Sequence, residues 1–251
     1  MAGFDWGART VDIVAALCPE RCNALVAVSE YLIGSQAAGN LPLLPQAELQ
    51  WWYQYYFATE RGRVGYGKYR HDFAKLIWHT ASPKWNFDDA TFDRSAESFD
   101  NPDHVDIVIH NYRWRLGLAE GEAEYDALEN RLAEGPVITV PTITLEGDAN
   151  GAFHPDPSAY AKKFSGRYSH RTIERAALGT TFPRKPRRPL PRPSSNGILI
   201  SKTATDTAPL TVVFVRGAFA DASSWNGVIQ RLQAARIQVT APAIPAARHR
   251  S

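Results

Sequence analysis

Cysteine is scarce in this chain: Cys18 and Cys22 are its only two. Two ligands fall short of a structural zinc site, and no further Cys/His cluster at a ligand spacing accompanies them. They read as small, partly buried residues, and neither a metal nor a cofactor is expected. Long apolar runs are lacking too. "NALVAVSEYLIG" is broken well short of a membrane span. "MAGFDWGART" has no basic region followed by an apolar core, which argues against a secretory signal. The expectation is a cytoplasmic protein with no membrane partner. Nor is there an excess of one charge, since 28 Lys and Arg face 26 Asp and Glu, a net +2. The chain as a whole therefore does not advertise a polyanionic partner.

What is present falls into unequal parts. Residues 1–34 read as a Gly-rich turn, a helix and a strand. "TVDIVAALC" has apolar residues at helical spacing, Pro19 stops it, and "NALVAVS" has the look of a buried strand. Residues 35–134 are rich in Trp, Tyr and Phe, with helical segments such as "AELQWWYQYYFAT" and "AEYDALENRLAEG". In residues 135–174, "VITVPTITL" is a β-branched run of strand length whose Pro141 points to a strand edge or end, and "YSHRTI" reads as one more strand. Residues 175–208 are a basic, Pro-rich linker. Residues 209–251 regain a pattern, with "TVVFV", a helix and "IQVTAPA" forming a strand–helix–strand unit, the building block of a parallel sheet.

"AGFDWGAR" places an acid between small residues, directly before a helix. A tight strand-to-helix turn needs glycines where side chains would collide. It lifts the central side chain above the sheet and turns backbone N–H groups toward it. With Asp at the centre, the nucleophile is a carboxylate, which attacks a saturated carbon and forms an ester. The bland alternative is a helix N-cap, and aromatic stretches are usually core.

"GFDWGAR" resembles the nucleophile elbow of α/β-hydrolases of the epoxide hydrolase and haloalkane dehalogenase group. "YYFATERG" and "HNYRWR" are similar to the lid tyrosine motifs, and "VPTITLEGD" to the strand that ends at the triad acid. The resemblance covers residues 2–174. It implies an α/β fold, an incomplete α/β-hydrolase parallel sheet with a helical lid, acting on a small apolar substrate such as an epoxide. Asp5 would attack the epoxide carbon, Tyr56 and Tyr112 would protonate the leaving alkoxide, and the Trp6 backbone N–H would stabilise the oxyanion. Asp148 would be the triad acid, although strict spacing from Pro141 points to Asn150. The dehalogenase alternative would have Trp6 bind halide, and a third reading is a non-catalytic hydrolase remnant.

Two departures from that pattern stand out. The strand that should precede Asp5, and everything before it, is expected to be missing. The catalytic histidine should follow "YSHRTI" in a Gly-His loop, where the chain reads "ERAALGTTFPRKPRRP". His170 lies within the strand, and His154 has no matching role. The basic segment reads as a frameshifted histidine loop: one permitted codon string for Ala177 to Pro193 gives a Gly-His pair in a shifted frame. A nucleic-acid tail fits less well, because no aromatic residue interleaves with the charges from Arg184 to Arg192. The stretch from "TVVFVRGAFADASSW" onward resembles the start of a second, esterase-like α/β-hydrolase, with Arg216 where that pattern has His. Its first strand is expected beside "NALVAVS", with Gly217 to Phe219 near Asp5.

Overall fold

A computed structural model describes residues 1–152, 154–173, 211–215 and 226–241. The basic linker, its frameshift reading, Arg216 and Gly217–Phe219 lie outside the described residues. Within them, six parallel strands form one sheet in the order β4-β3-β2-β1-β5-β6. The strands are β1 (Ala2–Phe4), β2 (Leu25–Val28), β3 (Thr142–Gly147), β4 (Tyr168–Ile173), β5 (Thr211–Val215) and β6 (Gln238–Thr240).

Two expectations change here. A strand does precede Asp5: β1 is three residues long and hydrogen-bonded on both sides. "TVVFV" does not lie beside "NALVAVS". It pairs with the other side of β1, where Ala2 is opposite Phe214 just as it is opposite Val26. The reason is that β1 has two free edges, and its fully buried residues seal against Phe214 on one of them; Ala2, Phe4, Val28 and Phe214 form one buried cluster. A parallel strand covered on both faces reads as a continuous apolar run, as these do.

Helix α1 (Trp6–Leu17) buries Ala8, Val11, Asp12 and Ala15. That is one helical stripe, and it packs on β1 and β2. Cys18 is its C-cap, and a short 3-10 turn starts at Pro19, whose ring cannot continue the α-helix. The strand expected over 137–145 begins only at Thr142. Pro141 offers no N–H to the ladder, so regular pairing starts after it, while Ile138 makes one isolated parallel bridge to Phe164. Pro141 thus marks an end, and β3 itself is interior, between β2 and β4.

Between β2 and β3 the chain forms a helical cap. Its helices are α2 (Gln36–Gly39), α3 (Pro45–Gln50), α4 (Trp52–Phe57), α5 (Glu60–Ala81), α6 (Asp89–Ala96), α7 (His104–Arg115) and α8 (Asp126–Ala133). The aromatic run is not one helix: it breaks at Trp51, and again at Thr59, whose hydroxyl accepts from Gly62 N–H at 3.0 Å and starts α5. The cap has its own core of Phe57, Tyr66, Trp78, Phe92, Phe99 and Tyr112. At the far end of the sheet, α9 (Asn226–Ala234) links β5 to β6. No described helix is long and apolar enough to cross a membrane.

The elbow depends on Gly3. A Cβ there would lie 2.2 Å from the Gly7 carbonyl oxygen and 2.7 Å from Ala8 N, so α1 can fold back onto β1 only over a bare backbone. Gly3→Ala is expected to lower stability by about 1–3 kcal/mol, read as a lower urea midpoint at unchanged slope.

Candidate active site

Asp5 sits between β1 and α1 with φ 53° and ψ −126°, a conformation that L-residues rarely adopt. Strain of this kind costs on the order of 1–3 kcal/mol and persists where the surroundings over-determine it. Here the Gly3–Gly7 approach does so. The Asp5 side chain makes no capping hydrogen bond to α1, so the N-cap alternative does not describe it. Trp6 and Gly7 open the helix, and their backbone N–H groups belong to the first turn, which has no intrahelical partners.

The cap brings two phenols to this turn. Tyr112, 2% exposed on α7, packs its ring 5.7 Å from Trp6. Tyr53 on α4 meets Tyr112 edge-on at 5.5 Å, with their hydroxyls close enough for each to influence the other's ionisation. Burial pushes both phenols well above their ordinary pKa; the Asp5 carboxylate pushes Tyr112 further up, and Tyr112 and Asp5 do the same for Tyr53. Both therefore stay protonated and remain donors. The Trp6 indole N–H is buried and makes no hydrogen bond of good geometry, although it lies close enough to favour the Tyr112 phenolate.

Tyr56 does not join this group. Its ring stacks on Phe73 at 6.0 Å, and its hydroxyl lies against Gly65, where a Cβ would meet it at 2.0 Å. One helical turn separates Tyr53 from Tyr56, and the local sequence carries tyrosine at both. Only the direction of α4 chooses between them.

Asp5 opens onto a cavity of about 220 Å³ under the cap, with Phe4, Gln50, Trp52, Tyr53 and Trp78 among its walls. Leu49, 66% exposed, stands at its rim.

The acid positions are arranged differently from the sequence expectation. Asp148 lies in the turn after β3, exposed, with its N–H donating to Ile173 O at 3.3 Å. Asn150 contacts His154 through its side-chain amide and accepts from Ala152 N–H at 3.0 Å. The buried carboxyls are others. Glu30 follows Ser29, whose φ of 71° turns the chain sharply at the carboxyl end of β2. Burial, with Glu146 and Asp12 nearby, pushes Glu30 up to about 8, and its Oε2 is buried without a partner. Asp12, fully buried on α1, is pushed up to about 8 by burial, against the opposing effect of the Leu32 N–H that donates to its Oδ2 at 2.9 Å. His154 Nδ1 is 3.8 Å from Glu146 Oε1, but burial lowers the imidazole to about 4, so it is neutral at pH 7 and the contact is not an ion pair. His170 lies on β4 with Nδ1 3.1 Å from Thr144 Oγ1. Glu30 and Tyr53 escaped the sequence reading. A Glu two residues past a strand end, and a Tyr one turn before another, carry no signal until burial is known.

No protein-family profile and no curated protein matches the chain. Solved structures do. A "putative epoxide hydrolase" from Klebsiella pneumoniae subsp. pneumoniae is 64% identical, over 71% of this chain and 59% of that one, with TM-score 0.70. A "putative epoxide hydrolase" from Pseudomonas aeruginosa (18% identity, 68% and 56% covered, TM-score 0.53) and a "putative alpha/beta hydrolase" from Nostoc sp. (16%, 69% and 57%, TM-score 0.50) share the fold. The chain thus spans under two thirds of each structure's length. Parallel sheet, elbow and helical cap define an α/β-hydrolase fold. Within it, the chain is related to the epoxide hydrolase-like α/β-hydrolases, on the strength of the 64% identity.

The buried carboxyls make stability pH-dependent. Asp12 and Glu30 hold protons up to about 8 when folded and release them near 4 when unfolded. Their contribution is complete below about pH 4 and is lost as pH rises through 8, at up to about 1.4 kcal/mol per pH unit for each group. His154 acts oppositely, but only between about 4 and 6.5. From pH 6.5 to 8, urea midpoints should fall, and Asp12→Asn or Glu30→Gln should flatten the decline.

Proposed function

We propose that the chain opens epoxides through Asp5, forming an ester on the enzyme. The observation that carries this reading is the strained Asp5 at the floor of an apolar cavity, with two buried, protonated phenols beside it. The Asp5 carboxylate oxygen bonds to the less hindered epoxide carbon as that carbon's C–O bond breaks. The electron pair goes to the ring oxygen, and the alkoxide takes a proton from Tyr112, with Tyr53 donating to the phenolate left behind. An alkoxide is far more basic than a phenolate, so even a phenol with a raised pKa gives up its proton readily. The Trp6 N–H at the helix start serves the oxyanion when the ester is later attacked.

Hydrolysis of the ester needs a base to activate water, oriented by an acid. Neither carboxyl fills the orienting role as it stands: Asp148 is exposed, and Glu30, pushed up to about 8 by burial, is uncharged at pH 7. No histidine occurs between His170 and His249, and His154 is engaged by the Asn150 amide through its Nε2. Among the described residues no histidine lines the Asp5 cavity, so the ester is expected to persist and the protein to act as a single-turnover acceptor. A frameshift across residues 177–193 would give a reason for this loss. Sequencing the coding DNA tests it: an alternative frame lacking a Gly-His pair overturns it.

The dehalogenase reading has one observation in its favour, the unpaired buried Trp6 indole N–H. The phenol pair weighs against it, since a departing halide needs no proton. Incubation with a terminal epoxide should add one epoxide mass to Asp5, seen by peptide mass spectrometry. Asp5→Asn should abolish the adduct, and Tyr112→Phe or Tyr53→Phe should slow its formation by roughly 10²-fold or more. Tyr56→Phe should leave the rate within about twofold. Steady multiple turnover would show that a base is present after all, and an Asp5 adduct from haloalkanes but not epoxides would favour the alternative.

A further inference from the structure

A second, wider space opens between α1, α7 and α8. It is a cleft of about 980 Å³, and among the described residues it shares no wall residue with the cavity above Asp5. Its inner wall carries Arg9, half-buried on α1. The guanidinium head lies beside two further walls of the same cleft. Its Cζ is 5.9 Å from the centroid of the Trp114 ring, and its Nη2 is 3.4 Å from where a Cβ on Gly34 would stand. Burial lowers Arg9 to about 10, and Arg115 lowers it further, against smaller opposing effects of Glu129, Tyr112 and Asp5. It is therefore still a cation at pH 7. Yet among the described residues the guanidinium makes no hydrogen bond and has no carboxylate within 4.0 Å. Its nitrogens are not sealed from solvent, so a group in the cleft can reach them. The Trp114 face attracts the charge but takes up none of the five N–H donors.

The mouth of the cleft has the opposite sign. Asp106 is taken by Arg63 at 2.7 Å. Glu122 and Glu124 are exposed and have no ion pair among the described residues, and Asp103 and Glu129 are half-buried. The wall also includes the apolar side chains Trp6, Ile13, Ile107 and Leu132. An anion alone is drawn to Arg9 but repelled by these carboxylates, and a cation alone meets the reverse. A molecule with both charges on one hydrocarbon chain suits both ends. We propose that this cleft binds a small ω-amino carboxylate, its carboxylate on Arg9, its hydrocarbon chain against Trp6, Ile13 and Trp114, and its ammonium toward Glu122 and Glu124. The planar fork of a guanidinium matches the two oxygens of a carboxylate, which a chloride or a hydroxyl cannot do. The volume is that of a small-molecule site. The inference stands apart from the chemistry of Asp5.

The test is calorimetric titration of the full chain at low salt and pH 7. The ligands are the ω-amino acids from γ-aminobutyrate to ω-aminocaprylate, each compared with the alkanoate and the alkylamine of the same length. At the best length the amino acid should bind about tenfold or more tighter than either singly charged analogue. Arg9→Gln should reduce it to the level of the alkylamine, and Glu122→Gln combined with Glu124→Gln to the level of the alkanoate. An alkanoate as tight as its amino acid would overturn the proposal, because the acidic mouth then contributes nothing. An alkylamine as tight would overturn it from the other end, since Arg9 then contributes nothing. No binding at any length, or unchanged binding in a folded Arg9→Gln protein, would also overturn it. If Arg9→Gln fails to fold, the comparison within the wild-type protein and the exposed glutamate pair decide. Labelling of Asp5 by an epoxide is read separately, so neither result bears on the other.

Discussion

The close approach of α1 to β1 is the constraint on which this site depends. At Gly3 the helix backbone comes so near that any side chain would overlap the Gly7 carbonyl. Only three strand residues precede the turn, yet they are paired on both sides and buried throughout. With strand and helix both anchored, Asp5 between them has no room to relax. Its positive φ follows from packing. The same packing points the side chain away from the sheet and toward the cap.

The cap completes what the sheet begins. Its aromatic core fixes α4 against α7, and that contact sets Tyr53 on Tyr112 and both above Asp5. Burial then does chemical work on these groups. It removes water from two phenols next to a carboxylate, which keeps them neutral and available as donors. On the other side of the elbow, it leaves Asp12 and Glu30 protonated into the neutral range. Such groups weaken the fold as they ionise.

The C-terminal strand–helix–strand unit shows how permissive an open parallel edge is. β5 follows a long stretch outside the described residues, yet it joins β1 in register. Phe214 supplies the apolar contact that the edge requires. Period and strand composition suffice for such pairing, because parallel ladders are formed by backbone groups common to all residues.

Much was legible in the residues themselves. The α/β class, the helix ended by Pro19, the strand "YSHRTI" and the Asp-centred turn follow from period, from proline's missing N–H and from glycine's missing side chain, all local properties. Other features belong to the tertiary structure alone. That Tyr53, one turn before Tyr56, packs on Tyr112 depends on which way α4 faces when it meets α7. The contrast between exposed Asp148 and half-buried Glu30 depends on how sharply Ser29 turns the chain under the cap. The place of "TVVFV" beside β1 depends on which edge is open. Each is a matter of direction or burial set by distant packing, and neither is written in the identity of a residue or of its neighbours in sequence.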